Sequence, residues 1–165
     1  MSRTAKCRAV RFLFVKQLPV ILNRKAHFHY EILQTLEAGI VLTGTEVKSI
    51  RAGRAQIAAA FARIERGQVW LHNSHIDEYA YGNIANHDPK RSRKLLLHRH
   101  EIERLAGQTS GKGYALIPLK LYFKKGRVKV ELAVGRGKGE FDKRETLKRN
   151  AAAREIDRTL RRVGR

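Results

Sequence analysis

From Tyr30 to Val134 the apolar residues come in short alternating runs punctuated by glycine, and this pattern restricts the fold more than any other feature of the chain. Alternation sends successive side chains to opposite faces of a strand, so each run can bury one face and leave the other wet. Tyr30, Ile32 and Leu36 share one face of a first run, which Glu37-Ala38-Gly39 interrupts, and Gly39-Ile40-Val41-Leu42 reads as a second, short buried strand. Ala60 to Ile64 and Val69 to His72 flank Glu65-Arg66-Gly67-Gln68, a hairpin turn in which glycine adopts positive φ cheaply. A polar loop over 78–92 leads to Leu95-Leu96-Leu97. Tyr114 to Phe123 is a long strand whose Pro118 argues for an edge or a bulge, and Lys124-Lys125-Gly126-Arg127 turns it into Val128 to Val134. Two short helices complete the reading. One runs roughly from Thr45 to Ala52, with an N-cap in Thr43-Gly44-Thr45, Glu46 at the positive end of its dipole, Val47 and Ile50 buried, and Gly53 at its end. The other runs from about His98 to Leu105 and closes at Gly107. About six short strands with glycine turns predict a mainly β fold, a small closed antiparallel barrel of the OB-like kind that often binds oligonucleotides.

Charge divides the chain into three parts. Of its 165 residues, 35 are Lys or Arg and 15 are Asp or Glu, a formal net charge of +20. Residues 1–30 hold seven of the basic residues and no acid, 31–134 hold 17 basic and 10 acidic, and 135–165 hold 11 and five. The expected organisation is a basic, flexible leader over 1–22, a β-barrel domain over 23–134 and a basic C-terminal tail over 135–165. An excess of this size calls for a polyanionic partner, because each cation set on a phosphate releases condensed counterions. The length suits one domain with tails, and the single cysteine, Cys7, excludes an internal disulfide framework and fits a reducing compartment. The apolar runs of the leader fall short of the roughly 20 residues that span a bilayer. Lys16, Gln17 and Pro19 interrupt what a secretory signal would keep unbroken. A flexible leader whose Leu18 to Leu22 pack on the domain is the first reading, and an Arg-rich, acid-poor organellar transit peptide is the alternative. In the tail, Gly135-Arg136-Gly137-Lys138-Gly139 is expected to end regular structure. The stretch from Glu140 to Arg162 has helix-forming composition but sparse apolar positions (Phe141, Leu147, Ile156, Leu160), so it is expected to stay frayed until it meets RNA.

Catalytic signatures are weak. Ala106 to Gly113 misses a phosphate-binding loop at both ends, with Ala106 for the first glycine and Gly113 for the Ser/Thr that holds magnesium. The histidines pair as His27/His29, His72/His75 and His98/His100, but Cys7 has no partner for the usual zinc ligand sets. No Ser or Cys stands in a nucleophile motif. The chain is therefore read as a non-enzyme without metal or cofactor. Asp88-Pro89-Lys90-Arg91-Ser92-Arg93-Lys94 carries more weight, since so dense a run of cations repels itself unless a polyanion compensates. Tyr79, Tyr81 and Tyr122 could stack on bases.

Asn23-Arg24-Lys25-Ala26, Tyr30-Glu31-Ile32, Glu37-Ala38-Gly39-Ile40, Gly44 to Gly53 (GTEVKSIRAG), Asp88 to Leu97 (DPKRSRKLLL) and Asp142-Lys143-Arg144, in this order, resemble the SsrA-binding protein (small protein B) family of bacterial trans-translation. The resemblance runs from about Asn23 to Arg162. It implies an oblate Greek-key β-barrel with peripheral helices and a monomeric, non-catalytic, cytoplasmic adaptor. The implied partners are the tRNA-like domain of tmRNA (SsrA RNA), the stalled 70S ribosome, and elongation factor Tu through the alanyl-tmRNA complex. A tail of this kind becomes helical in the empty mRNA channel near the decoding centre. Carried onto this sequence, Asn23, Glu37 and Leu96 match positions tied to RNA binding. Arg24, Lys25, Lys48, Arg51, Arg54, Lys90, Arg91, Arg93 and Lys94 fit phosphate contacts. Arg136, Lys138, Phe141, Asp142, Lys143, Arg144, Leu147 and Lys148 fit the ribosomal tail. The sequence departs from the family at Phe28, His29, Phe141 and Arg149; Phe141 can stack on a base but cannot hydrogen-bond. The competing readings are a structural ribosomal protein with a basic tail and an RNA-processing enzyme.

Overall fold

The computed structural model describes residues 18–82, 86–111 and 113–139, together with Asp142, Arg144, Ile156, Arg158 and Thr159. The order of elements is β1 (Ile21–Leu22), α1 (Ala26–His29), β2 (Tyr30–Ile40), α2 (Gly44–Arg51), β3 (Ala55–Gln56), β4 (Phe61–Glu65), β5 (Gln68–His72), β6 (His75–Ile76), β7 (Arg93–Leu96), α3 (Arg99–Thr109), β8 (Tyr114–Lys124) and β9 (Arg127–Gly137). Six strands pair antiparallel in the order β8-β4-β5-β7-β2-β9, and β9 pairs back onto β8, which closes a ring. β1 adds to β8 from outside, and β3 with β6 forms a separate two-stranded ribbon. The mainly β reading holds, with nine strands among the described residues rather than six, because three of them are two-residue pairings too short to leave an alternating pattern.

Two bulges let the ring bend and clothe both its faces. In β8 the register steps from Pro118↔Leu132 to Lys120↔Glu131, so Leu119 is the extra residue and side-chain alternation reverses there. Leu116 and Leu121 consequently both enter the central core with Ile50, Leu71, Leu95 and Leu132, while Ile117 and Leu119 turn outward beneath Ala26 of α1. Pro118 has no N–H to give the ladder and occupies the irregular position. In β2 the step from Ile32↔Gly135 to Gln34↔Val134 leaves Leu33 over, sending Ile32 to the outer cluster and Leu36 and Ala38 to the core.

Three sequence expectations change. β2 is one strand of 11 residues, and Gly39 inside it is no breaker. It lets Leu96 lie across the strand: a Cβ at Gly39 would stand 3.1 Å from that of Leu96. β9 continues through Gly135, Arg136 and Gly137, where the glycine run was expected to end regular structure. A Cβ at Gly135 would meet Ile117 Cδ1 at 3.0 Å and Tyr30 Cβ at 3.2 Å, so glycine permits the ring to close there. α3 runs past Gly107 to Thr109, because its packing through buried Leu105 outweighs the modest helix cost of one glycine.

The helix α2 begins where expected. The Glu46 side chain accepts the Thr43 N–H at 2.7 Å in a capping box, and Gly53 ends the helix at a φ of +76°. Among the described residues no helix is long and apolar enough to cross a membrane, and no three His, Cys, Asp or Glu side chains group to hold a metal.

Candidate nucleic-acid interface

The basic run 88–94 is where structure departs most from sequence expectation. Glu46 of α2 is fully buried, and two arginines of this run converge on it. Arg91 donates from Nε and Nη2 at 2.8 and 2.6 Å, and Arg93 from Nε at 2.8 Å. Arg93 also donates through Nη1 to the Ser74 carbonyl (2.7 Å), Ser74 Oγ (2.8 Å) and the Arg91 carbonyl (2.9 Å), and through Nη2 to the Pro89 carbonyl (3.1 Å). Its alternation on β7 points inward, as Leu95 does, and its side chain is 0% exposed. Arg93 therefore cannot touch a phosphate: it is a buried tie between α2, β7 and the loop before it. Arg91 is half-buried, and its Nε and Nη2 are committed to the same carboxylate. Burial alone would raise the Glu46 carboxyl, but hydrogen bonds from Arg91, the Thr43 N–H and Arg93 outweigh it and hold the group below the ordinary carboxylate range. Burial pushes the Arg93 guanidinium down, and the Glu46 charge opposes that shift.

Asn23 is likewise an internal residue, only 4% exposed. Its Nδ2 donates to the carbonyls of Pro118 (3.0 Å) and Ile57 (3.3 Å), and its N–H donates to the Leu119 carbonyl (2.8 Å). It thus fastens the chain onto the β8 bulge and leaves Arg24 and Lys25 exposed beside it. A direct RNA contact by its amide N–H groups is excluded, because those donors are spent inside the protein.

The remaining expected residues do reach the surface. Lys48, Arg51 and Arg54 are exposed on and just beyond α2, with Lys48 Nζ 5.0 Å from the centre of the Tyr79 ring and the Arg51 guanidinium 5.8 Å from that of Phe123. Phe123 lies near the turn between β8 and β9, so α2 and that hairpin form one cationic edge. Lys90 is exposed and Lys94 half-buried. Leu96 is 52% exposed and lines a groove with Glu37, Gly39, Val47, Arg127 and Lys129.

Glu37 stands on the outer face of β2 among cations. Its Oε2 accepts the Tyr122 hydroxyl and Lys124 Nζ (2.7 Å), and Lys129 Nζ lies 3.7 Å from Oε1. Hydrogen bonds from Lys124 and then Tyr122 lower its carboxyl to about 2. Burial and the bond to Glu37 push the Tyr122 phenol up to about 12. Lys120 completes the patch, 5.4 Å over the Tyr122 ring and 2.8 Å from Glu131. Lys120, Lys124, Arg127 and Lys129 are further cations of this surface that the sequence motifs do not mark. The signal was present in the alternation Lys120-x-Tyr122-x-Lys124 and Lys129-x-Glu131, which places them on the face opposite Leu121 and Val130.

Two expected tail residues belong to the ring instead. Arg136 is on β9, opposite Glu31 and Tyr114, and Lys138 donates its N–H to the His29 carbonyl (2.9 Å) and its Nζ to the His27 carbonyl (3.1 Å). Asp142 and Arg144 are helical and exposed, while Phe141, Lys143, Leu147, Lys148 and Arg149 lie outside the described residues, as does most of the leader.

Fold and surface define a small, strongly basic protein whose ring of strands presents cations along one hairpin, one helix and the strands between them. The chain belongs to the SmpB protein family, whose sequence model matches residues 20–162. It is 58% identical over 139 residues to the SsrA-binding protein of Geobacillus sp. (strain WCH70), covering 84% of this chain and 90% of that one. The SsrA-binding protein of Bacillus subtilis (strain 168) is also 58% identical, over 84% of this chain and 89% of its own length. A solved structure described as "tmRNA-SmpB: a journey to the center of the bacterial ribosome" contains a chain 53% identical to this one. It superposes with a TM-score of 0.63 over 74% of this chain and 86% of that chain.

Proposed function

We propose that this protein is a tmRNA-binding adaptor of trans-translation that acts at the stalled ribosome. The observation that carries the reading is its identity of 58% with SsrA-binding proteins across 84% of the chain, together with a family match over residues 20–162, a span that includes the whole ring. The ring closure and the short pairings on it fit an OB-like, Greek-key barrel. The tRNA-like domain of tmRNA lies along the edge formed by α2 and the β8–β9 hairpin, with Lys48, Arg51, Arg54, Lys90 and Lys94 on phosphates and Leu96 against a sugar or base. Asn23 acts indirectly, by presenting Arg24 and Lys25. Delivery proceeds with elongation factor Tu bound to the alanylated RNA, and residues 140–165 become helical in the empty mRNA channel. The protein contributes recognition and placement, carries no cofactor and works as a monomer in the bacterial cytoplasm.

The test is a gel-shift titration of the tRNA-like domain of tmRNA, with ordinary tRNA as competitor, at several salt concentrations. Binding that survives competitor tRNA is the expected result. Displacement by any RNA overturns the adaptor reading and favours a structural ribosomal protein.

A further inference from the structure

Glu37 poses a sign problem: an exposed carboxylate in a face meant for a polyanion opposes binding by simple Coulomb repulsion. Its register partner on β9 is Glu131, a second carboxylate directly across the strand pair, which is itself unfavourable. Three lysines and one phenol resolve both charges. Lys124 and Lys129 converge on Glu37 from β8 and β9, Lys120 binds Glu131, and Tyr122 donates to the oxygen that Lys124 also binds.

We propose that Glu37 is a positioning residue whose work is done through Lys124, Lys129 and Tyr122, and that Lys124 and Lys129 are phosphate-contacting residues of the RNA interface. This inference rests on the adaptor reading and specifies how one part of that surface works. An ammonium has three N–H donors, so a lysine that gives one to Glu37 keeps two for phosphate oxygens. A free lysine loses rotamer freedom on meeting a phosphate, and one already held in place loses less. Tyr122 takes part in the same network from below: its hydroxyl fixes the carboxylate, and its ring carries Lys120 on one face. With Glu37 and Glu131 against Lys120, Lys124 and Lys129, the cluster keeps one net positive charge and a defined geometry. Arg51 over Phe123, next in sequence to Tyr122, joins it to the cations of α2.

The experiment compares wild type, Glu37→Gln, Lys124→Ala/Lys129→Ala and the triple variant in binding to the tRNA-like domain of tmRNA across a salt series. Glu37→Gln removes a negative charge and is nevertheless expected to weaken binding roughly tenfold, about what one charged hydrogen bond is worth. The double lysine variant is expected to weaken it and to lower the salt slope by about two, one per phosphate contact. Adding Glu37→Gln to it should then weaken binding no further, since the carboxylate favours phosphate contact through those lysines. Melting temperatures should move little, because Glu37 is exposed; a large fall in melting with an unchanged salt slope would mark a merely structural role and overturn the inference. Glu37→Gln binding as tightly as wild type, or tighter, would overturn the inference alone. Failure of wild type to bind would overturn the adaptor reading and the inference with it.

Discussion

Replacing Arg93 with Met tests whether the basic run 88–94 is an RNA contact or an internal tie. The side chain is fully buried and makes five hydrogen bonds, to Glu46, Ser74 (twice), Arg91 and Pro89. Methionine fills much of the volume but donates nothing, so Glu46 keeps Arg91 and the Thr43 N–H and the Pro89 carbonyl keeps the Ile76 N–H, while the Ser74 and Arg91 carbonyls lose this donor. Breaking a buried ion pair by removing one member costs about 3–5 kcal/mol, and each carbonyl left unsatisfied costs about 1–3. These costs overlap because they describe one group, and about 4 kcal/mol is the working figure. Small proteins hold roughly 5–15 kcal/mol in total, so the variant should forfeit a large share of its stability. For a chain of this size the melting temperature should fall by about 8–16 °C. The assay pairs thermal and urea unfolding with RNA titrations at several salt concentrations, run cold enough that the variant stays folded. The salt slope should match wild type, since no phosphate contact is removed. A melting temperature within about 3 °C of wild type, together with a slope lower by about one, would refute the argument and return Arg93 to the interface.

Glu46 gives stability a pH dependence of known sign. Its folded-state carboxyl lies below the ordinary value of 4.5, so its contribution is complete above that value and is lost as pH falls through the folded one. Glu46→Gln should be less stable than wild type at pH 7 and lose less on acidification; parallel curves from pH 7 to 2 would contradict the assignment. Lys48→Ala and Arg51→Ala should each lower the salt slope of RNA binding by about one without changing the melting temperature, whereas an unchanged slope moves the interface away from α2. Removing residues 140–165 should leave affinity for the tRNA-like domain nearly intact and abolish peptide tagging in a reconstituted translation assay. Equal loss of both would refute that division between ring and tail.

Much of the ring was readable because each strand pattern depends on local alternation. The hairpin across Gly67, the turn at Gly126, the capping box at Thr43 and Glu46 and the irregularity at Pro118 all follow from the residues at those positions. Net charge predicted a polyanionic partner, because counterion release depends on how many cations there are and little on where each one sits. Two of the glycine misreadings share one cause, while at Gly107 the packing of Leu105 carries the helix through. Gly39 and Gly135 look like breakers in one dimension, but tertiary neighbours decide whether a missing Cβ ends an element or makes room for Leu96 or Tyr30.

Burial of charge was not legible. Lys90, Arg91, Arg93 and Lys94 are alike in sequence, yet the inward phase of β7 takes Arg93 out of solvent and the buried Glu46 on a distant helix ties both Arg91 and Arg93. That carboxylate is 45 residues from Arg91 and 47 from Arg93, a pairing that no local pattern announces. Glu37 and Lys124, 87 residues apart, are a second case. Sequence alone thus determined the class of fold, the sign of the partner and the positions of the turns, all properties that short stretches of chain carry by themselves. Only the tertiary structure decided which cations stay at the surface within reach of a phosphate and which are buried against a carboxylate, because that depends on contacts between residues the chain keeps far apart.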